Sequence, residues 1–429
     1  MDKLNRIYKA FKISGKVSTD TRMDVKDSVF FALSGENFDG NKFAHIALKK
    51  GATLAIIDNP SYAINDDYVL VEDVLKSLQD LATTHRKTLN AKILAITGSN
   101  GKTTTKELIS AVLLYEKKTI STKGNLNNHI GVPLSILRIL DDTDIGVIEM
   151  GANHQGEIKQ LCEIALPNTG IITNIGKAHL EGFGSFDGVI SAKNELYEFI
   201  KSTNGEIIRN RDDQILQKLG SEIDSFTYGT DKADVTGELL SSNPSLKVKW
   251  NFNGEEYLIS SKLYGSYNFP NIMAAVASGI YFGISPVNIT KAIELYQPSN
   301  NRSQLINTSK NNIVLDAYNA NPVSMNNAIG SFKDFNAESP ILILGDMFEL
   351  GESAGKEHKK IIDLLKEIGF KEVFLVGEEF FNIRETNDFM SFRSTEDLRK
   401  HLDDNVLKNK NILIKGSRGM KLESLLNIL

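Results

Sequence analysis

The segment Leu94–Glu107 reads LAITGSNGKTTTKE, a strand-like apolar run followed by a glycine-rich loop and the start of a helical pattern. That layout suits a phosphate. Successive backbone N–H groups and a helix N-terminus face the anion, Lys102 adds a point charge, and Thr103 can offer its hydroxyl to Mg²⁺. Gly98, Ser99, Asn100, Gly101, Lys102, Thr103 and Thr104 are therefore the expected nucleotide-binding residues. The common form of this loop has a glycine five residues before Gly101, where this chain has Ile96; the form present is the shorter G-x-x-G-K-T. The loop predicts a nucleoside triphosphate as energy source.

Other side chains fall where such a site would use them. Glu149 ends the apolar run IGVIEMGAN, and a carboxylate at the C-terminal end of a parallel strand beside a phosphate loop can hold Mg²⁺ or its waters. His179, in TNIGKAHLEGFGS, reads either as a further metal ligand or as a satisfied loop histidine. Lys193, in SAKNELYEF, reads as a solvated helical lysine; a protonated amine ligates no cation unless CO₂ converts it to a carbamate. The loop Lys123–Pro133, KGNLNNHIGVP, offers neutral donors and acceptors suited to turns or to amides and sugar hydroxyls. Asn268 and Asn271 stand where a helix begins, so one could cap it and the other read a base edge. Arg302, Asp316, the run Tyr318–Asn321, GDMFELG and KGSRGMKLE all fall at strand ends or loops, where open α/β sheets bind ligands.

These side chains need a scaffold, and the hydrophobic pattern predicts an α/β protein of three domains. Residues 1–88 form a small α/β unit with strands at Ser28–Leu33, Thr53–Ile57 and Tyr68–Val71 and helices at Lys42–Lys50 and Val74–Leu89. Residues 89–297 carry the phosphate loop. Strands at Ile145–Ile148 and Gly170–Thr173 follow it, then an antiparallel appendix over Ser225–Ser261 with an Asn253-Gly254 turn, then an alanine-rich helix over Ile272–Phe282. Residues 298–429 form a parallel, Rossmann-like unit with strands at Ile313–Leu315, Ile341–Leu344, Val373–Val376 and Ile412–Ile414, helices at Lys356–Ile368 and Thr395–Leu402, and a last helix at Lys421–Leu429. The hydrophilic turn at Leu89–Lys92 reads as a linker.

Bulk properties narrow the function. The 429 residues exceed what one core usually holds, and the net charge of −5 gives no general nucleic-acid-binding face. The single cysteine, Cys162, excludes an internal disulfide and a cysteine-rich metal site. No signal-like N-terminus and no run of about 18 apolar residues occur, which predicts a cytoplasmic protein with no membrane insertion.

Taken together, GSNGKTT, GNLNNHIGVP, IEMGANHQGEI, TNIGKAHLEGFGS, SAKNELY, YNFPNIMAA, LDAYNANP and GDMFELG resemble the Mur ligases, in order and over nearly the whole chain. GANHQGEI with AHLEGFGS is similar to the branch that adds D-alanyl-D-alanine to UDP-N-acetylmuramoyl-tripeptide, and DTRMDVKDSVFFALSGENFDG resembles a UDP-binding N-terminal domain. The resemblance implies an ATP-dependent amide ligase working through an acyl phosphate, with two Mg²⁺ ions. By that resemblance Lys102 holds the β/γ-phosphates, Thr103 and Glu149 bind the first ion, and His179 with a carbamylated Lys193 bind the second. Asn271 meets adenine, Asp316 the ribose and Arg302 the γ-phosphate. Thr19, Thr21 and the turn Glu36, Asn37, Phe38 match UDP-contacting positions, and Asn125, Asn127, Asn128, Asn153 and His154 line the muramoyl-peptide channel. Asn319 and Asn321 are further substrate candidates.

This chain departs from the pattern with Tyr267 where histidine is common, Thr21 where serine is common, and Tyr318 where some relatives carry lysine. The implied partners are small-molecule substrates only, and a monomer is expected because no motif requires a second subunit. The alternatives are a sibling ligase (the preceding amino-acid-adding enzyme), a folylpolyglutamate synthetase-like ligase, or an ATP-driven switch or motor. The folate enzyme would not need the UDP-like first domain. A motor would leave the outer domains without small-molecule pockets.

Overall fold

The computed structural model describes residues 3–177, 180–334, 339–384 and 388–429. Ala178 and His179 lie outside the described residues, so the expectation for His179 has no counterpart in the geometry below.

The chain builds three sheets. The first is all parallel, in the order β1 (Val17–Ser18), β2 (Val29–Phe31), β3 (Leu54–Ile57), β4 (Tyr68–Leu70). Its strands are short apolar runs buried on both faces, as parallel strands must be. The second sheet has nine strands: β5 (Lys92–Thr97), β6 (Thr119–Ser121), β7 (Ile145–Glu149), β8 (Thr169–Ile172), β9 (Glu206–Asn210), β10 (Ser225–Gly229), β11 (Val235–Ser241), β12 (Lys247–Phe252) and β13 (Glu255–Ser260). Their spatial order is β13-β12-β11-β10-β9-β8-β5-β7-β6. The third has six strands, β14 (Gln304–Asn307), β15 (Asn312–Asp316), β16 (Pro340–Gly345), β17 (Glu372–Val376), β18 (Met390–Phe392) and β19 (Asn411–Lys415), ordered β14-β15-β19-β16-β17-β18.

Three expectations need correction. The segment Ser225–Ser261 is not a purely antiparallel appendix. β10 pairs parallel with both β9 and β11, so the main sheet continues through it and only β11–β13 run antiparallel. The Asn253-Gly254 turn is present, both residues having the positive φ (52° and 83°) that a tight hairpin requires. The last segment is not an α-helix. Lys421 sits at φ 53°, and two 3₁₀ stretches, Arg418–Met420 and Leu422–Asn427, replace the expected turns, the left-handed residue breaking the register. The third sheet is parallel except for β14, whose pairing with β15 is antiparallel.

The junctions between the sheets differ in kind. Between Thr88 and Lys92, Leu89 and Ala91 are buried rather than forming a free linker. One apolar cluster runs from Phe31, Ile56 and Leu78 of the first unit to Ile93, Ile136 and Leu161 of the second. The helix Val74–Thr88 binds the second unit through buried Arg86, which donates to the carbonyls of Ala165 (2.9 Å) and Leu166 (3.1 Å) and to Asn168 Oδ1 (3.0 Å). The second junction runs from exposed Ser299 and Asn300 through half-buried Asn301 and Arg302 to buried Ser303, with Asn300, Asn301 and Ser303 all at positive φ.

Candidate active site

The C-terminal ends of β5, β7 and β8 lie side by side, because β5 pairs with both of the others. The loop after β5 turns through Gly98 (φ 140°) and Gly101 (φ 77°). A Cβ at Gly98 would stand 2.0 Å from Thr173 Oγ1, and one at Gly101 2.6 Å from Asn271 Oδ1, so neither position admits a side chain. Asn100 N–H donates to Asn174 Oδ1 (3.0 Å), and Thr173 Oγ1 donates to the Asn100 carbonyl (2.6 Å). Ser99 Oγ bonds Gly176. The end of β8 thus shapes the phosphate loop. The helix Lys102–Leu113 starts at Gly101 with no side-chain cap, leaving its first N–H groups for an anion.

Lys102 Nζ turns back onto the carbonyls of Gly98 (2.6 Å) and Ser99 (3.2 Å). Burial lowers its ammonium to about 8, nearby Glu149 opposing that shift and Arg302 adding to it. Glu149, buried at the end of β7, accepts from Thr103 Oγ1 (3.2 Å) and Asn127 Nδ2 (2.8 Å) through Oε1. Its Oε2 is buried without a hydrogen-bond partner, with the Lys106 ammonium 3.7 Å away. A hydroxyl beside a carboxylate that holds an unused buried oxygen suits a hard divalent cation, so Thr103 and Glu149 fit Mg²⁺.

Lys106 escaped sequence reasoning. It is fully buried, donating to the Thr122 carbonyl (2.8 Å), the Gly124 carbonyl (3.3 Å) and Glu107 (2.9 Å). Its spacing, four residues after Lys102, places both lysines on one helix face. That was the available signal.

A cavity of about 1220 Å³ opens from this loop toward the third sheet. It is lined by Asn125, Asn127, Asn128, Asn153, Asn271, Arg302, Asp316, Asn319 and Asn321, so the structure gathers most of the expected residues around one space. Asn128 Oδ1 accepts from the N–H groups of Ile130 and Gly131, a local turn. His154 lies outside the lining, paired with Glu157 (3.3 Å). Asn268 occupies the helix N-cap position without a side-chain capping bond. Its amide instead donates to the Tyr264 carbonyl and Ser303 Oγ and accepts from Asn271 Nδ2 (2.8 Å). Asn271 Oδ1 accepts from Thr105 Oγ1 (3.1 Å), so both ends of its amide already hold one protein bond. Tyr267, in the place of the common histidine, bonds Ser303 Oγ (2.9 Å).

Asp316 is held by Lys415 Nζ (2.6 Å) and the Ser303 N–H (3.1 Å). Asn321 Nδ2 reaches across to Asn100 Oδ1 (2.8 Å), joining the third unit to the phosphate loop. Lys193 is buried and is not among the residues lining the cavity, its Nζ 5.1 Å from the Phe183 ring centroid. Burial lowers it to about 7, helped by Lys102 and opposed by Glu157 and Glu195. Thr19, Thr21, Glu36, Asn37 and Phe38 stand after β1 and β2, outside this cavity, with Phe38 stacked on Phe43 at 5.3 Å.

The chain is similar to known proteins over nearly its whole length. Residues 96–279 match the Mur ligase middle domain and residues 301–418 the Mur ligase, glutamate ligase domain. The chain belongs to the Mur ligase family. It is 35% identical to the UDP-N-acetylmuramoyl-tripeptide–D-alanyl-D-alanine ligase of Bacillus subtilis, over 98% of this chain and 94% of that one. The crystal structure of MurF from Acinetobacter baumannii superposes with a TM-score of 0.85 at 30% identity, covering 96% of this chain and 92% of that one. MurF ligase from Thermotoga maritima in complex with ADP gives a TM-score of 0.85 at 25% identity, covering 100% and 98%.

Proposed function

We propose that this chain joins D-alanyl-D-alanine to the terminal carboxylate of UDP-N-acetylmuramoyl-tripeptide, consuming ATP in the assembly of peptidoglycan precursors. It is an ATP-dependent ligase. The observation that carries the reading is the single cavity that a phosphate loop and Glu149 share with Asn-rich loops and the strand ends of the third sheet.

A carboxylate is a poor electrophile, so the reaction first transfers the γ-phosphoryl of ATP to it. The amine of D-alanyl-D-alanine then attacks the acyl carbon, the C–O bond to phosphate breaks, and free phosphate leaves as the nitrogen gives up its proton. Lys102 leaves the Gly98 and Ser99 carbonyls to meet the phosphates, whose charge it offsets. The uncapped N–H groups after Gly101 bind the same oxygens. Thr103 and Glu149 would hold a first Mg²⁺; a carbamylated Lys193 together with His179 would hold a second, on the family pattern. The metal supplies charge neutralisation at the transferred group. Asn127 keeps the Glu149 carboxylate oriented. Arg302 approaches from the third unit, and Asn125, Asn127, Asn128 and Asn153 offer amides to the muramoyl peptide. Thr19, Thr21 and the Glu36–Phe38 turn take the UDP end, Asp316 the ribose and Asn271 the adenine. Asn319 and Asn321 serve the incoming dipeptide. The units that divide this work are residues 1–88, 89–297 and 298–429, in a monomer working in the cytoplasm.

The test is a coupled assay. With ATP, Mg²⁺ and UDP-N-acetylmuramoyl-tripeptide, phosphate release should require D-alanyl-D-alanine. Release stimulated instead by a single amino acid would move the assignment to a sibling ligase.

A further inference from the structure

Arg302 is not alone at the wall facing the phosphate loop. Its guanidinium carbon lies 3.7 Å from the centroid of the Tyr318 ring, and that of Arg418 lies 4.9 Å from the same centroid. Three separate pieces of chain converge here: the junction before β14, the loop after β15 and the turn after β19. Each is fixed by backbone bonds. Tyr318 N–H donates to the Asn301 carbonyl (3.1 Å), Ser417 N–H to the Asp346 carbonyl (3.0 Å), and Phe348 N–H to Ser417 Oγ (2.9 Å). Arg302, Tyr318 and Arg418 line the main cavity and also a smaller one of about 230 Å³ shared with Thr103, Gly124 and Asn125.

The donors here are not used up. Arg302 Nε is buried without a hydrogen-bond partner. Among the described residues, Arg418 is in contact with the Tyr318 ring, and its guanidinium forms no ion pair. Glu423 lines the smaller cavity, but its Oε2 is likewise buried and accepts no hydrogen bond. Two guanidiniums around one ring repel each other, and the ring's negative face offsets part of that. A multiply charged anion entering between them and Thr103 would offset the rest.

We propose that Arg418 is a second arginine of the phosphoryl-transfer site, held beside Arg302 by Tyr318, and that it binds the γ-phosphoryl group as it passes from ATP to the substrate carboxylate. This rests on the ligase reading and adds a catalytic residue and a positioning residue, Tyr318, to it. The phosphoryl is favoured over the dipeptide carboxylate because the smaller cavity includes Thr103 of the phosphate loop.

Steady-state kinetics on the full chain test it. Arg418→Ala should lower kcat about 10²-fold, the size of effect seen when one donor to a transition-state oxyanion is lost, with the KM for D-alanyl-D-alanine unchanged. Arg418→Lys should fall between, keeping charge but losing the planar fork. Tyr318→Leu should reproduce most of the loss, Tyr318→Phe less of it, and Arg418→Ala should add little on top of Tyr318→Leu. Thermal melting alongside separates these effects from misfolding, and the lysine variant serves if the alanine variant does not fold. A wild-type kcat in Arg418→Ala would overturn the proposal. So would a change confined to the KM for the dipeptide, which would assign Arg418 to its carboxylate. If the wild type makes no product, the ligase reading fails. Calorimetric titration with Mg-ADP plus aluminium fluoride, which mimics the phosphoryl in transit, then decides: weaker binding by Arg418→Ala supports the arginine pair, equal binding overturns it.

Discussion

At the residue scale, buried lysines set this site apart. Lys193 matters for carbamate formation because CO₂ attacks only a neutral amine. With burial lowering it to about 7, the neutral form dominates at pH 8 and falls to about one in ten at pH 6. Carbon-13 NMR with labelled CO₂ should therefore show a carbamate signal that declines from pH 8 to pH 6 and is missing in Lys193→Ala. That variant should be nearly inactive and partly rescued by a short carboxylic acid; full activity would end the carbamate assignment. Lys106 makes a different prediction. Replacing it with methionine strands the Thr122 carbonyl and leaves Glu149 without its cationic neighbour. Urea denaturation should record a loss of about 3 kcal/mol, the scale for breaking a buried charge pair. Nothing in KTTTKE distinguishes a buried lysine from a solvated one except helical spacing, so Lys106 was legible as a neighbour of Lys102 and not as an anchor.

At the element scale, the helix Val74–Thr88 and the loop at Arg302 do opposite work. The helix fuses the first two units. Arg86 closes the carbonyl end of the helix Glu157–Ala165 across the junction, so Arg86→Leu leaves the carbonyls of Ala165 and Leu166 without that donor. A stability loss of about 3 kcal/mol in chemical denaturation is expected, since hydrogen bonds to charged groups are the stronger ones. The loop at Arg302 instead holds residues on both sides of the arginine in the left-handed region. Ser303 is its fixed point, bonding Tyr267, Asn268 and Asp316. Ser303→Val sets a β-branched residue at φ 48° and removes the hydroxyl contacts, so Tm should fall and kcat should drop at least tenfold even at temperatures where the variant is fully folded. Strand positions were readable here because apolar runs are local. The parallel pairing of β10 was not, because pairing depends on which strand arrives beside it.

At the scale of the whole molecule, the apolar core sets the third unit apart from the first two. Apolar packing is continuous from the first sheet to the second, whereas the third unit's main core takes Tyr264 alone from the second among the described residues. Contact across the cavity is polar, as in the Asn321–Asn100 bond. Polar interfaces of this kind accompany domain closure. Small-angle scattering should show a smaller radius of gyration with Mg-ATP and the UDP-linked tripeptide than without. Asn321→Ala should widen the unliganded particle and raise the KM for ATP. Identical profiles with and without ligands would count against closure.

The sequence by itself determined the phosphate loop, the acid at the end of β7 and the α/β order of the elements. Those signals are local: a loop's N–H groups are consecutive, and a strand's burial is written in its own residues. Only the tertiary structure decided that Asn127 orients Glu149, that buried Lys106 stands 3.7 Å from the same carboxylate, that Asn321 reaches Asn100, and that Tyr318 gathers two arginines. Each of the last three joins residues far apart in the chain or buries a charge. Whether such a contact forms depends on how whole elements pack and on which charges the packed interior can compensate.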